Sequence, residues 1–192
     1  MPPSRTSTRD RLLAAAERLL LEGDYDSLSL RAVCADAEAN VAAVHYHFGG
    51  KDGLVATLLQ ERLGPVWEDS LAALVDAATL ADCVHALIDP LADLAREPGG
   101  RMHLHLLARL VLGRRDVAWA AEWFSLAPWV DLLQARVPGI TTREAEVRWM
   151  LAFDLVLTQF GDPLGGGRAL SRAATATIHR FVTAGLAAEV HP

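Results

Sequence analysis

The sequence predicts an all-α chain in two parts: a short N-terminal three-helix unit and a longer helical region behind it. Three observations carry this. Ala, Leu and Val dominate a chain of 192 residues that is 52% hydrophobic, with few β-branched runs and few turn clusters, which favours helix over strand. Apolar residues recur at three- and four-residue spacing in one segment after another. Ser, Thr or Asn stands just before those segments, where a short side chain can take the first unbonded backbone N–H groups.

The elements follow in order. MPPSRTS is a polar arm. A first helix runs from about Thr8 to Glu22, capped by Ser7 or Thr8, with Leu12, Ala15, Ala16, Leu19 and Leu20 on one stripe and Gly23-Asp24 as its stop. Ser29 opens a helix of about two turns in which Leu30, Val33, Cys34 and Ala37 share a face. Asn40 caps a third helix through about His47, and Gly49-Gly50 end it. Lys51 and Asp52 open a fourth, with Leu54, Val55, Leu58 and Leu59 apolar. Helices this short are unstable alone in water and must pack on the first and fourth. Long helix, short helix, tight turn and short helix make a helix-turn-helix arrangement. The boundary falls at 1–50 for this unit and 51–192 for the rest.

Beyond Gly64 the helices lengthen. Pro65 is read as the first turn of a helix to about Ala77, and Thr79 as the cap of one reaching Arg96, bent or broken at Pro90. EPGG reads as a loop, RMHLHLLARLVLG as a buried helix, and residues 116–139 as a helix interrupted at Pro128. Thr141 and Glu144 have capping-box spacing and start a helix through Phe160. GDPLGGG is a loop, and a last helix covers about Arg168 to Glu189.

Composition narrows function. The net charge is −6, and residues 1–63 hold seven Lys plus Arg against nine Asp plus Glu, so a nucleic-acid surface must be local. Lys51 is the single lysine beside 17 arginines. No apolar stretch approaches the ~20 residues of a membrane span, and the N-terminus has no secretory apolar segment, so a cytoplasmic protein without a membrane partner is expected. Cys34 and Cys83 read as small buried apolar residues. No nucleophile–base pair, HExxH or phosphate loop appears, so no enzyme and no cofactor are expected.

TRDRLLAAAERLLLEGDYDSLSLRAVCADAEANVAAVHYHFGGKDGLVATLL, residues 8–59, resembles the N-terminal DNA-binding domain of TetR/AcrR-family transcriptional regulators. The joint spacing of Thr8-Arg9, Ala15-Ala16, Tyr25, Ser29-Leu30-Arg31, Tyr46-His47-Phe48 and Lys51 with Leu54 carries the resemblance. It implies an N-terminal helix-turn-helix domain followed by a helical domain for ligand binding and dimerisation. The expected function is a ligand-responsive homodimer, most often a repressor, that binds a palindromic double-stranded DNA operator and is released by a small, mostly apolar effector. Two positions depart from the family pattern. Glu38 replaces a common turn glycine, and Asp24 replaces a glycine before the first aromatic. Glutamate takes a left-handed conformation less readily than glycine, so a somewhat different turn is expected at Glu38. The acidic balance and Glu38 keep an alternative open: a helical small-molecule-binding or protein-interaction module that has lost specific DNA binding.

The cluster Tyr46-His47-Phe48 has three readings. His45 and His47 stand about 200° apart on a helix, so one helix cannot bring both to one metal ion. No Ser or Cys nucleophile lies nearby in sequence for acid–base chemistry. DNA docking remains. Val44 and Phe48 pack inward, leaving Asn40, Val41, Ala42, Ala43, His45 and Tyr46 for the major groove. Helical spacing alone also permits Val41 inward; the resemblance puts it outward. Small apolar residues suit thymine methyls and close approach. The resemblance makes Lys51, Tyr46 and His47 backbone contacts, and Ser29, Arg31, Arg5 and Arg9 can reach a strand. Arg9 and Arg31 are equally compatible with a solvated face, and His47 with packing on its own helix.

In the C-terminal part, Met102, His103, His105 and Trp123 combine apolar bulk with polar tips, which suits a small-molecule pocket walled by residues 85–112 and 116–135. Trp149 and Phe153 are added as wall residues. Arg109 either meets an acidic group of the ligand or pairs with Asp or Glu. Phe153, Leu157 and Phe160, with Ile178, Phe181 and Val182, are candidates for a two-fold four-helix interface, which the resemblance suggests; the same faces also suit closure of the monomer core.

Overall fold

The computed structural model describes residues 7–72, 74, 78–162 and 170–190. Among them are nine α-helices, one 3₁₀ turn and no strand. Arg5, Ala77, the loop 163–167 and Arg168 lie outside the described residues.

α1 (Thr8–Glu22) begins where Ser7 accepts a bond from the Asp10 N–H at 3.1 Å. α2 (Leu30–Asp36) is capped by Ser29 and α3 (Val41–Phe48) by Asn40, whose Oδ1 accepts from the Ala43 N–H at 2.8 Å. Each cap satisfies a donor that has no partner inside its helix. Gly49 closes α3 in the left-handed conformation, φ 74°. Glu38 also takes that conformation, φ 48°. The turn between α2 and α3 therefore keeps the glycine-type geometry, and the expectation of a different turn is corrected. Tyr25, Leu28, Val33, Val44 and Phe48 share one buried core with Leu12, Leu13 and Ala16 of α1 and with Leu54 and Leu58.

α4 runs unbroken over Lys51–Ala72 with Pro65 inside it, not as two helices. Proline costs the helix the bond to the Glu61 carbonyl, but Leu63, Gly64, Trp67 and Leu71 are all buried. Packing on both sides outweighs the missing bond. α5 (Leu80–Leu94) starts with a full capping box between Thr79 and Asp82 and likewise continues through Pro90.

α6 (Pro98–Leu112) includes the PGG expected to be loop. Pro98 suits a first helical position, and Gly100 is buried where a Cβ would stand 2.1 Å from the Leu94 carbonyl oxygen. Residues 113–121 are irregular, and the long helix expected here is reduced to a 3₁₀ turn (Glu122–Phe124) and α7 (Ala127–Gln134). α8 (Thr142–Gly161) is capped by Thr141, while Glu144 turns to Arg148 at 2.9 Å. α9 (Arg172–Leu186) is capped by Ser171. α8 crosses α6 closely at Gly161, where a Cβ would fall 2.3 Å from the Ala108 Cβ. No helix among the described residues is long and apolar enough to cross a membrane.

Candidate nucleic-acid interface and ligand cavity

α3 buries Val44 and Phe48 and turns Val41, Ala42, His45, Tyr46 and His47 outward, with Ala43 half-buried. Val41 is 36% exposed and Tyr46 85% exposed. Large apolar side chains held in water on one helix face suit a partner surface. A groove beside them is lined by Thr8, Arg11, Glu38, Asn40, Ala42, Tyr46 and His47. The Tyr46 and His47 rings meet edge to face at 5.0 Å. Asn40 spends its carbonyl oxygen on the cap, so its amide N–H groups are what it can offer a base or phosphate.

The cations of this unit and of the adjoining α4 are mostly spoken for. Arg9 pairs with Glu61 at 2.5 Å, Arg18 with Asp36, and Arg62 with Glu17 at 2.6 Å. Arg11 donates to the Ala37 carbonyl at 3.0 Å. Lys51 sits over the Tyr25 ring at 4.5 Å and reaches the Asp26 carbonyl at 3.4 Å. Tyr25 in turn donates its hydroxyl proton to Asp52. Arg31 is exposed. The Ser29 hydroxyl accepts from Ala32 and keeps its own proton to donate.

α6 ties this unit to the rest. His103 Nε2 lies 3.0 Å from Glu17 Oε1. Arg109 makes two bonds to the Asp26 carboxylate, at 2.5 and 2.6 Å, with its guanidinium over the Tyr25 ring. Both residues are expected in the pocket from sequence, but α6 turns this edge toward the N-terminal unit, where the carboxylates are. The pairing alternative weighed for Arg109 is the one the fold adopts.

A cavity of about 600 Å³ lies among α4, α5, α6, α7 and α8. Trp67, Trp119, Trp123, Phe124, Trp129 and Phe153 form an aromatic box around it, with Arg114, Ser125 and Asp154 as polar groups. Trp123 meets Trp129 edge to face at 5.4 Å, and Trp129 meets Phe153 at 5.3 Å. Of the residues expected to line a pocket, this cavity gathers Trp123 and Phe153. Met102 and His105 line a separate cleft of about 340 Å³ between α1 and α6, where His105 lies 3.1 Å from the Gly161 carbonyl. Trp149 has no exposed surface and backs the wall from within the core, stacked on Phe153 at 5.5 Å. Trp67 and Trp119 escape a reading by spacing because one lies on α4 and the other in an irregular segment. The density of tryptophan between 119 and 129 is the signal that points to Trp119, and no sequence signal points to Trp67.

The outer face of α8 and α9 departs from expectation in the same way. Leu157, Phe160, Ile178 and Val182 are buried within the single chain, and Phe153 faces the cavity. Phe181, 69% exposed, stands outward, as do Val147 and Leu151. Of the expected interface residues only Phe181 stands outward, and Val147 and Leu151 lie on a different face of α8 from those expected, because the inward stripes of both helices are already used in closing the core.

Residues 12–58 match the model of the family described as bacterial regulatory proteins, tetR family. A Bacillus subtilis (strain 168) protein, the probable HTH-type transcriptional regulator YttP, is 33% identical over 57 residues, which make up 30% of this chain. The chain spans 28% of that relative's length. Solved structures resemble nearly the whole chain. A Streptomyces coelicolor A3(2) chain assigned as a transcriptional regulator has a TM-score of 0.60 at 18% identity, with 96% of each chain covered. A TetR family protein from Vibrio parahaemolyticus has a TM-score of 0.56 at 17% identity, covering 93% of this chain and 98% of that one. The TetR family repressor AlkX from Dietzia sp. strain DQ12-45-1b, implicated in biodegradation of n-alkanes, has a TM-score of 0.53 at 17% identity, covering 95% and 99%. The chain thus carries the tetR-family model over residues 12–58, its helix-turn-helix, and shares its fold over nearly its whole length with solved structures of transcriptional regulators.

Proposed function

We propose that the chain is a homodimeric transcriptional repressor that lays α3 in the major groove of a palindromic operator and leaves it when a flat, largely apolar ligand fills the tryptophan box. Residues 1–50 form the reading head, and 51–192 sense and pair. The single observation that carries the DNA reading is the outward face of α3, where Val41 and Tyr46 stand in water beside Ala42. Val41 and Ala42 suit thymine methyls. Asn40 and His45 supply hydrogen bonds, and Ser29, Arg31, Tyr46, His47 and Lys51 meet phosphates. Few cations are available to one subunit, so two half-sites are needed for useful affinity. Val147, Leu151 and Phe181 supply the apolar face on which a second copy packs.

The ligand reading rests on cavity size and lining. A volume of about 600 Å³ walled by indoles holds a small molecule with aromatic or extended apolar character. Gln60 of α4 accepts bonds from the Ala120 and Ala121 N–H groups at 2.6 and 2.8 Å, so the cavity's roof hangs on the helix that begins at the reading head. A ligand that fits one position of the roof better than the other shifts the balance of head positions by that difference in affinity.

The test is fluorescence anisotropy with DNA flanking the chain's own gene, across a range of salt. Specific binding that weakens steeply with salt is expected. A second reading, a ligand-binding module without DNA function, is favoured by the ion-paired state of Arg9, Arg18 and Arg62. Absence of binding to every operator-like flanking sequence, with retained ligand binding in the tryptophan box, selects it.

A further inference from the structure

We propose that His85, Asp89 and His179 form a binding site for a divalent transition-metal ion of the zinc class, joining α5 to α9. His85 Nδ1 lies 3.1 Å from one Asp89 oxygen, and His179 Nε2 lies 2.9 Å from the other. The three donor atoms all fall within 4.8 Å of one another. His85 and Asp89 are four residues apart on one helix, which puts them on one face. His179 comes to them from the last helix of the chain, so only the packing of α9 on α5 assembles the set.

Several features favour a cation over a simple network of hydrogen bonds. The two imidazole rings are stacked at 4.1 Å with an interplanar angle of 23°, and both direct a nitrogen at the same carboxylate. Two ring N–H groups on one carboxylate form a set in which a single cation can replace both protons. His179 is buried, and its Nδ1 has no hydrogen-bond partner. In the ion's absence the Asp89 carboxylate keeps the proton on Nε2; a metal ion bound there takes that proton's place, and the proton moves to Nδ1, which no hydrogen bond occupies. The cluster opens onto a groove between α5 and α9, so water can complete the coordination.

The donor set selects the cation. Two imidazole nitrogens and one carboxylate oxygen suit zinc, cobalt, nickel or copper ions, whereas calcium and magnesium prefer all-oxygen sites. The groove also carries Asp93, paired with Arg96, and Arg172 and Arg180. That mixed rim gives no strong field for a hard cation held by charge alone, so binding must come from coordination to nitrogen.

The experiment uses the full chain without an affinity tag, stripped with chelator and titrated with zinc chloride by calorimetry. Uptake of one zinc ion per chain is expected, with a rise in melting temperature on saturation. His85→Ala and Asp89→Asn should each weaken uptake by more than about tenfold, since even outer-shell partners of a metal site cost that much. Both side chains are more than half exposed, at 56% and 59%, so neither change removes core packing. Cobalt chloride should give visible absorption bands that both variants lose, and calcium chloride should bind much more weakly than zinc. No zinc uptake by the parent chain, uptake retained by both variants, or calcium binding as tight as zinc would each overturn the site. DNA binding by the parent chain plays no part in these readouts, so failure here leaves the operator reading standing.

Discussion

His103 on α6 and Glu17 on α1 share a hydrogen bond of 3.0 Å, and the same carboxylate takes two bonds from Arg62 on α4, at 2.8 and 2.6 Å. Three helices thus meet on one carboxylate where the helix-turn-helix unit touches the rest of the chain. The Arg62 bonds hold the Glu17 carboxyl below its ordinary range, and burial pushes the His103 imidazole down. In both cases the unfolded chain binds protons more readily than the folded one. Stability from these groups is therefore complete above the ordinary imidazole value of 6.5 and is lost as pH falls through the folded values, first at His103 and then at Glu17. Urea midpoints should decline from about pH 7.5 to about pH 5, and His103→Gln should flatten the upper part of that decline. Glu17→Gln near neutral pH should cost about 1–3 kcal/mol, the worth of bonds to a charged group.

Glu38 stands at a left-handed position, φ 48°, and its carboxylate borders the α3 groove. Glu38→Gly should raise stability by about 1 kcal/mol, with a melting point about 2–4 °C higher, because glycine takes this conformation without a Cβ penalty. Glu38→Gln keeps the strain and removes the charge. It should leave the melting point unchanged and tighten DNA binding, which separates the two effects.

Lys51 stands at the start of α4 beside the Tyr25 ring. Lys51→Ala should weaken binding to all DNA sequences alike and reduce the logarithmic salt slope by about one unit for each phosphate that the side chain no longer neutralises. Asn40→Ala and His45→Ala should instead change the order of preference among sequences. Competition anisotropy on a set of operator variants distinguishes the two patterns.

Phe181 is 69% exposed on the outer face of α9. Phe181→Asp should convert a dimer to monomer in sedimentation velocity while changing monomer stability by no more than about 0.5 kcal/mol, as surface changes do. A chain that sediments as a monomer before substitution counts against the paired reading.

Leu107 lines the tryptophan box, and Leu107→Trp should occupy it. Ligand-induced release from DNA should be lost while DNA binding itself persists. Gln60→Ala should leave ligand binding in place and weaken its effect on DNA, because the roof's two bonds to α4 are gone. Tryptophan fluorescence follows the ligand, and anisotropy follows the DNA.

The sequence by itself determined the local features. The ends of α1, the caps at Ser29, Asn40, Thr79 and Thr141, and the inward pair Val44 and Phe48 rest on short-range patterns: a hydroxyl or amide ahead of a helix, and apolar residues four apart. Those forces act within a turn or two of chain, so they can be read from spacing. Tertiary structure decided what spacing cannot express. Pro65 and Pro98 lie inside helices because neighbouring side chains bury both flanks of α4 and hold the start of α6 against Leu94. His103 and Arg109 face carboxylates of the N-terminal unit because α6 packs against it. Leu157 and Ile178 are core and Phe181 is surface because the mutual packing of α5, α8 and α9 chooses which stripe of each helix is already covered. Burial depends on the arrangement of whole helices, and a residue's side of a helix becomes inside or outside only when its neighbours have taken their places.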